Sequence, residues 1–397
     1  MQDPFTATRA EGLRRLAAFA PRAGAQYAAG RNHDAGPHNR THVSLLSPYL
    51  RYRLITEREV IQCVLSQHSA QAVEKFIQEV LWRTYWKGWL EMRPSVWTRF
   101  LAERDRDRQA FADKRTLIAA ETGNTGIAGF DDWARELVET GYLHNHARMW
   151  FASIWIFTLR LPWTLGADFF LRHLLDADAA SNTLSWRWVA GLQTTGKTYL
   201  ATAENIAKYT GGRFAPAGLA RQAVALVEAP VGSAIVLPDA EIPDVTQPSL
   251  LLVTHEDMNP ESLFPVDFPI SVALVVADEN LLWGRVGAAF VKAAAADTAA
   301  RLARHLDTSV QVAQILDAPT LIAAARAAQA RRILTAYAPV GPVADALKQI
   351  APVLAHDGIT LVQSRRQWDS YFWPHAQKGF FPFREKIAAG LKANAVL

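Results

Sequence analysis

Cysteine is nearly absent: Cys63 is the single one in 397 residues. That excludes an internal disulfide and a cysteine-ligated iron–sulfur cluster, each of which needs more than one thiol. No apolar run is long enough to span a bilayer. The stretch Met1–Arg22 mixes charged and apolar residues and lacks the apolar core of a secretory signal. A cytoplasmic protein with no membrane partner is the expectation. Metal ligands are sparse too. His144 and His146 flank Asn145, and residues two apart on a helix diverge by about 200°, so they do not share one ion. No metal site is expected, and no protein partner is evident.

Half of the residues are hydrophobic, enough for a real core, and the length allows two or three domains. Net charge is only +4, but its positive excess lies before Phe214, and the remainder is slightly acidic. A basic front half suits a polyanionic partner, whose phosphates release counterions on contact. An ordinary alkaline surface gives the same composition. Most of the 13 Trp also lie before residue 214, which fits a packed helical core, a stacking surface, or both.

The chain has two grammars, which predict a multidomain protein. Residues 1–214 read as an all-α helical domain. Gln71–Glu91 is free of Gly and Pro until Gly88, and its Glu79, Trp82, Arg83 and Trp86 fall on one helical face. Further helices are expected over Asp131–Glu139 and over Asn145–Arg160, where Pro162 stops the second. Gly and Pro cluster at Gly211–Gly218 and mark a boundary. Residues 215–397 then alternate short β-branched runs with Ala-rich helices. Strands are expected at Ala234–Leu237, Leu250–Thr254, Val272–Val276, Val310–Ile315, Arg332–Thr335 and Ile359–Val362, and helices at Val286–His305 and Pro319–Ala330. That alternation predicts a doubly wound, Rossmann-like α/β domain.

Four short motifs carry chemical meaning. Ser47-Pro48 reads as a helix start, with Ser47 as the cap and Pro48 at the first helical position. With Ser44 it makes an anion site of hydroxyls and free backbone N–H groups. Asp176, Asp178 and Asn182 put two carboxylates and an amide close together before Trp186-Arg187-Trp188. They suit the heteroatoms of a polar ligand, whereas the later acids of a calcium loop are missing. Gly191–Thr198 matches the phosphate-loop pattern of an ATPase letter for letter, yet no buried strand precedes it as that mechanism requires. The His144-Asn145-His146 triplet reads as two unrelated histidines.

Taken in order, these pieces resemble the FAD-binding domain of the photolyase/cryptochrome family over about residues 27–214. Tyr27 with Arg31 is similar to the family's upstream tyrosine segment. Ser44, Leu46 and Ser47 are similar to its pyrophosphate turn, with Val43 where a threonine is usual. Phe76–Arg83 resembles the helix that faces flavin and lesion, with Phe76 replacing a tryptophan. Thr140–Met149 resembles the family's most recognisable signature, and Asp176, Asp178, Asn182 and Trp186–Trp188 complete the series.

The resemblance implies a cofactor, FAD, held by Tyr27, Ser44, Leu46, Ser47, Phe76, Arg83, Arg148, Asp176, Asp178 and Asn182. Asp176 would face the flavin ring beside Arg148, Asp178 would accept from its N3–H, Asn182 would sit near N5, and Arg83 would lie toward the phosphates. It implies light-driven repair of cyclobutane pyrimidine dimers in DNA. Glu79, Asn145 and Met149 would act on the flipped dimer, and Trp82 and Arg31 would join them in binding DNA. Asn145 and Met149 stand where the (6-4) branch carries histidines. Trp186 and Trp163 match the inner and middle electron carriers, but the outer position, near Ala110 and Phe111, has no Trp.

Leu250–Pro260 resembles the opening strand of the family's α/β antenna domain, which implies a swapped domain order. No antenna chromophore can be read from it. Two other readings stay open: a cryptochrome-like photoreceptor, and a nucleic-acid-binding flavoprotein without repair activity.

Overall fold

The computed structural model describes residues 5–111, 114–241, 246–265 and 268–396. The first half is helical, as expected. The predicted long helix runs Glu74–Glu91 and is buried along most of its second half. Gly88 has a tertiary reason for its place there. A Cβ at that position would fall 2.7 Å from the Trp373 Cα, so only glycine lets the two backbones approach. The helix at Phe130–Thr140 ends on Gly141, whose φ of 68° suits glycine. The expected helix Asn145–Arg160 divides in two. It is α-helical over Asn145–Ser153 and widens to a π-helix over Ile154–Thr158 before Pro162. Such bulges concentrate at functional sites.

Five parallel strands follow: β1 Ser249–Val253, β2 Ile270–Val276, β3 Val310–Ala313, β4 Arg332–Ala336 and β5 Thr360–Ser364. Their order is β3-β2-β1-β4-β5, so the chain reverses direction of travel between β1 and β4. β1 and β4 are buried throughout, as central parallel strands are. Alternate residues face opposite ways. Leu251 and Val253 pack into the core shared with the helical half, while Leu250 and Leu252 pack against Leu321, Val343 and Leu347 of the outer helices.

The run Ala234–Leu237 is not a strand. It belongs to an irregular strap that follows the last helix of the first half, Ala203–Tyr209, and is described as far as Glu241. The strap is tied down by scattered bonds instead of a ladder. The Leu226 N–H donates to the Ala190 carbonyl at 3.0 Å and the Ile235 N–H to the Met92 carbonyl at 2.9 Å. Arg187 pairs with Glu228 at 2.6 Å. β-branched residues raise strand propensity only where a neighbouring strand is available. Val310–Ile315 is shorter than expected and ends at Ala313. No helix of the described residues is long and apolar enough to cross a membrane.

The two halves are joined by buried charges. Arg51 donates to both Glu256 oxygens at 2.8 and 2.9 Å, and Arg53 to both Asp369 oxygens at 2.7 Å. Arg53 also reaches Asp257 at 3.5 Å, and Asp257 accepts from Arg366 of its own half at 2.6 and 2.8 Å. Glu256 and Asp257 follow directly on the carboxyl end of β1. Ligands of open α/β sheets bind at such a switch point. Here side chains of the helical half fill it.

Glu91 is one of them. It accepts from the Tyr337 hydroxyl at 2.8 Å and from the Val340 N–H. Burial pushes its carboxyl up from 4.5 to about 7, against those two hydrogen bonds and nearby Lys87, while Asp369 pushes the same way as burial. The folded chain therefore keeps a proton that the unfolded chain releases. Stability from this group is full below about pH 4.5 and is lost as pH rises to about 7. Glu91→Gln cannot titrate. Its stability relative to the parent should rise by roughly 3 kcal/mol across that window, at about 1.4 kcal/mol per pH unit. Urea unfolding of both proteins at several pH values checks this; parallel curves would refute it.

Candidate functional site

The turn Ser44–Ser47 enters a short helix, Ser47–Arg51. Leu45 within it has φ 56°, a left-handed conformation that costs a non-glycine residue free energy and persists where surroundings impose it. The Ser47 hydroxyl does not cap this helix, contrary to expectation. It lies among buried polar atoms that lack an aligned hydrogen bond, together with Arg83 Nη1 and Asp176 Oδ1.

Asp176 stands at the centre. Arg148 reaches it at 3.2 Å and Arg83 at 3.7 Å. Burial alone would raise its carboxyl, but Arg148, Arg83 and neighbouring Ser47 hold it below the usual range. Asp178 caps the helix Ala179–Val189 through the Ser181 N–H at 2.6 Å. Burial opposes its charge as well, and Lys87, Arg83 and Arg51, at 3.7, 3.4 and 3.7 Å, overcome it and keep the group ionised. Arg83 thus bridges the two aspartates. Asn182 lies one turn on and donates to the Ala167 carbonyl at 2.9 Å.

A second cluster lies toward the start of the helix Glu74–Glu91, which also carries Arg83. Tyr27 packs edge-on against Phe76 at 5.2 Å. Glu79 pairs with Arg31; burial raises its carboxyl and Arg31 lowers it, with burial prevailing. Buried Tyr142 links the clusters. Arg40 sits over its ring at 4.4 Å and Arg148 at 5.8 Å. Arg31, Arg40, Arg148, Arg83, Lys87 and Arg51 line the two clusters, each paired with a carboxylate. Arg40, Tyr142, Lys87 and Arg51 were not singled out from sequence. Lys87 had a signal, since it lies one turn beyond Arg83 on the same face.

Arg83 sits between Asp176 and Asp178, each already engaged by other cations as well. Phe380, from the helix Phe380–Arg384, stacks on Trp82 at 3.7 Å with planes 11° apart. Glu79 is likewise engaged by Arg31. Asn145 is exposed and Met149 half-buried.

Trp186 is buried against Gly166, where a Cβ would fall 2.3 Å from its ring, and lies edge-on to Phe170 at 5.1 Å. Trp163 meets Phe100 at 5.5 Å. Gly191–Thr198 follows a helix, forms turns and runs on without a helix directly after it, so the phosphate-loop reading fails. The two histidines act separately. His144 Nδ1 accepts from the His146 N–H at 3.1 Å, and the His146 ring meets the Asn32 carbonyl at 3.0 Å and the Tyr199 hydroxyl at 3.2 Å. Among the described residues no acidic, His or Cys group is arranged to hold a metal.

A small cavity of about 10 Å³ lies between Arg51, Lys87, Glu91, Asp178, Glu256 and Val340.

Residues 76–215 match the family model described as the FAD binding domain of DNA photolyase. The chain is 34% identical over 152 residues to the deoxyribodipyrimidine photo-lyase of Streptomyces griseus, covering 38% of this chain and 32% of that one. It is 34% identical over 197 residues to that of Agrobacterium fabrum, covering 48% and 39%. Among solved structures it is similar to a bacterial class III photolyase from Agrobacterium tumefaciens, with 29% identity and a TM-score of 0.44 over 51% of this chain and 43% of that one. The chain thus spans well under half the length of these relatives.

Proposed function

We propose that this chain, whose residues 76–215 match the FAD binding domain of DNA photolyase, belongs to the photolyase/cryptochrome family, binds FAD in the helical half and uses light to repair cyclobutane pyrimidine dimers in DNA. The observation that carries the reading is the Arg148–Asp176–Arg83–Asp178 constellation, which lies inside the matched region and sits beside the strained Ser44–Ser47 turn. We assign the units as residues 1–214 and 215–397.

The residues fit a flavin dinucleotide in their chemistry. Misaligned buried groups on Ser47, Arg83 and Asp176 have capacity to spare, and the cations of the two clusters suit a pyrophosphate. The room is tighter. The enclosed space beside Asp178 is only about 10 Å³, far below the ~300–1,000 Å³ of ordinary ligand pockets, so a dinucleotide enters only if neighbouring side chains move apart. When bound, the reduced flavin supplies a photoexcited electron donor. Arg148 and Arg83 favour an anionic group beside them. Asp176, ionised, fixes both guanidinium groups, and Asp178 anchors the helix that carries Asn182 and Trp186. Tyr27 and Phe76, packed edge-on at 5.2 Å, would contribute from the second cluster.

A photoreceptor-like reading without repair draws support from one observation: Trp82 and Glu79, assigned to the lesion, are already engaged by Phe380 and Arg31.

Reconstitution of the purified protein with FAD tests the cofactor. A yellow protein with about one FAD per chain and no retained ATP is expected. A protein that stays colourless and holds a nucleoside triphosphate would overturn the reading.

A further inference from the structure

We propose that Trp283, reached from Trp163 through Phe100 and Trp97, is the outer electron donor for photoreduction of the flavin; this rests on the flavoprotein reading above. The observations are geometric. The Trp163 ring lies 5.5 Å from Phe100, Phe100 lies 5.4 Å from Trp97, and Trp97 lies 6.0 Å from Trp283, edge-on at 79°. The path leaves the helical half and ends in the α/β half.

Burial gives the path a direction. Trp97 is 2% exposed, and its Nε1 has no hydrogen-bond partner. A positive hole there is costly, because burial penalises charge and no neighbour takes the proton. Trp283 is only half-buried, so water stabilises the oxidised indole and accepts its proton. The Arg187 guanidinium, 5.9 Å from the Trp163 ring, adds a like charge that disfavours a hole on Trp163. Its partner Glu228 offsets part of this.

Trp283 is also held in place. A Cβ on the next residue, Gly284, would fall 1.7 Å from the Arg172 carbonyl oxygen, so this loop lies flat against the end of the helix Trp163–His173.

The electrons balance as follows. By the family resemblance, Trp186 would give one electron to the photoexcited oxidised flavin and be refilled from Trp163. Trp97 refills Trp163 across Phe100, which bridges without being oxidised, and Trp283 refills Trp97. Trp283 releases its indole proton to water, and a thiol reductant in solution returns the electron and proton.

The test uses the full chain loaded with FAD, with a thiol present, and compares Trp186→Phe, Trp97→Phe, Trp283→Phe and Trp283→Tyr. Flash photolysis reads the long-lived absorbance of oxidised tryptophan, and steady illumination reads the photoreduction rate. Trp97→Phe and Trp283→Phe should lose the long-lived signal and slow photoreduction by on the order of tenfold. Trp283→Tyr should recover part of it, because tyrosine can still donate. Prolonged illumination of the parent without thiol should leave oxidation products on the peptide containing Trp283, mapped by mass spectrometry. Trp283 lies near the surface, so its variants carry the test if Trp97→Phe fails to fold. Should Trp186→Phe block photoreduction while both outer variants match the parent, the route is refuted and the flavin reading stands. Should Trp186→Phe photoreduce like the parent, the inner assignment falls and the route falls with it.

Discussion

Glu256→Ala should lower stability by about 3–5 kcal/mol, the cost of leaving a buried charge without its partner. Glu256 takes both Arg51 donors at 2.8 and 2.9 Å, and Lys87 lies at 3.8 Å. Burial alone would raise its carboxyl. Arg51, Lys87 and His255 outweigh burial and keep it ionised. Removing it leaves Arg51 and Lys87 sharing Asp178 in a site closed to water. A loss of that size is a large fraction of the 5–15 kcal/mol that holds a typical fold. Chemical unfolding monitored by tryptophan fluorescence measures it. A change under about 1 kcal/mol would mean that the site is wet, as at exposed ion pairs. The same variant reports on the joint between the halves, because Arg51 precedes the long helix and Glu256 follows β1.

Arg83→Met should weaken FAD binding by on the order of 2–4 kcal/mol, or roughly 30-fold to 1,000-fold. Arg83 is within 3.7 Å of Asp176 and 3.4 Å of Asp178. Without it those buried carboxylates lose a shared cation, and the polyanionic cofactor loses another. Arg83→Lys should fall between the two, because a point charge cannot span both carboxylates as the planar fork does. Flavin fluorescence titration gives the affinities, and unfolding without FAD separates loss of fold from loss of binding. Parent-like affinity in Arg83→Met would remove Arg83 from the cofactor set.

Much of this was legible in the sequence where the signal is local. The helix Glu74–Glu91 follows from its helix formers, and Gly141 from the turn it closes. The runs that became the five strands are β-branched or leucine-rich, β3 being shorter than its run. Ala234–Leu237 has the same composition, but no strand lies beside it. Asp178 stood out as a carboxylate in a polar loop, yet its partners Arg51, Lys87 and Arg83 lie far away in sequence. The stacking of Phe380 on Trp82 joins residues almost 300 positions apart, and no periodicity marks it. Trp283 was invisible for the same reason: its significance comes only from Trp97 beside it.

The most direct measurement is anaerobic illumination of the FAD-loaded, chemically reduced protein with an oligonucleotide containing a cyclobutane thymine dimer, following recovery of the thymine absorbance. The account predicts recovery in the light and none in the dark, with Trp82 giving up its Phe380 partner as the dimer binds. Full flavin occupancy with no recovery in the light would contradict repair.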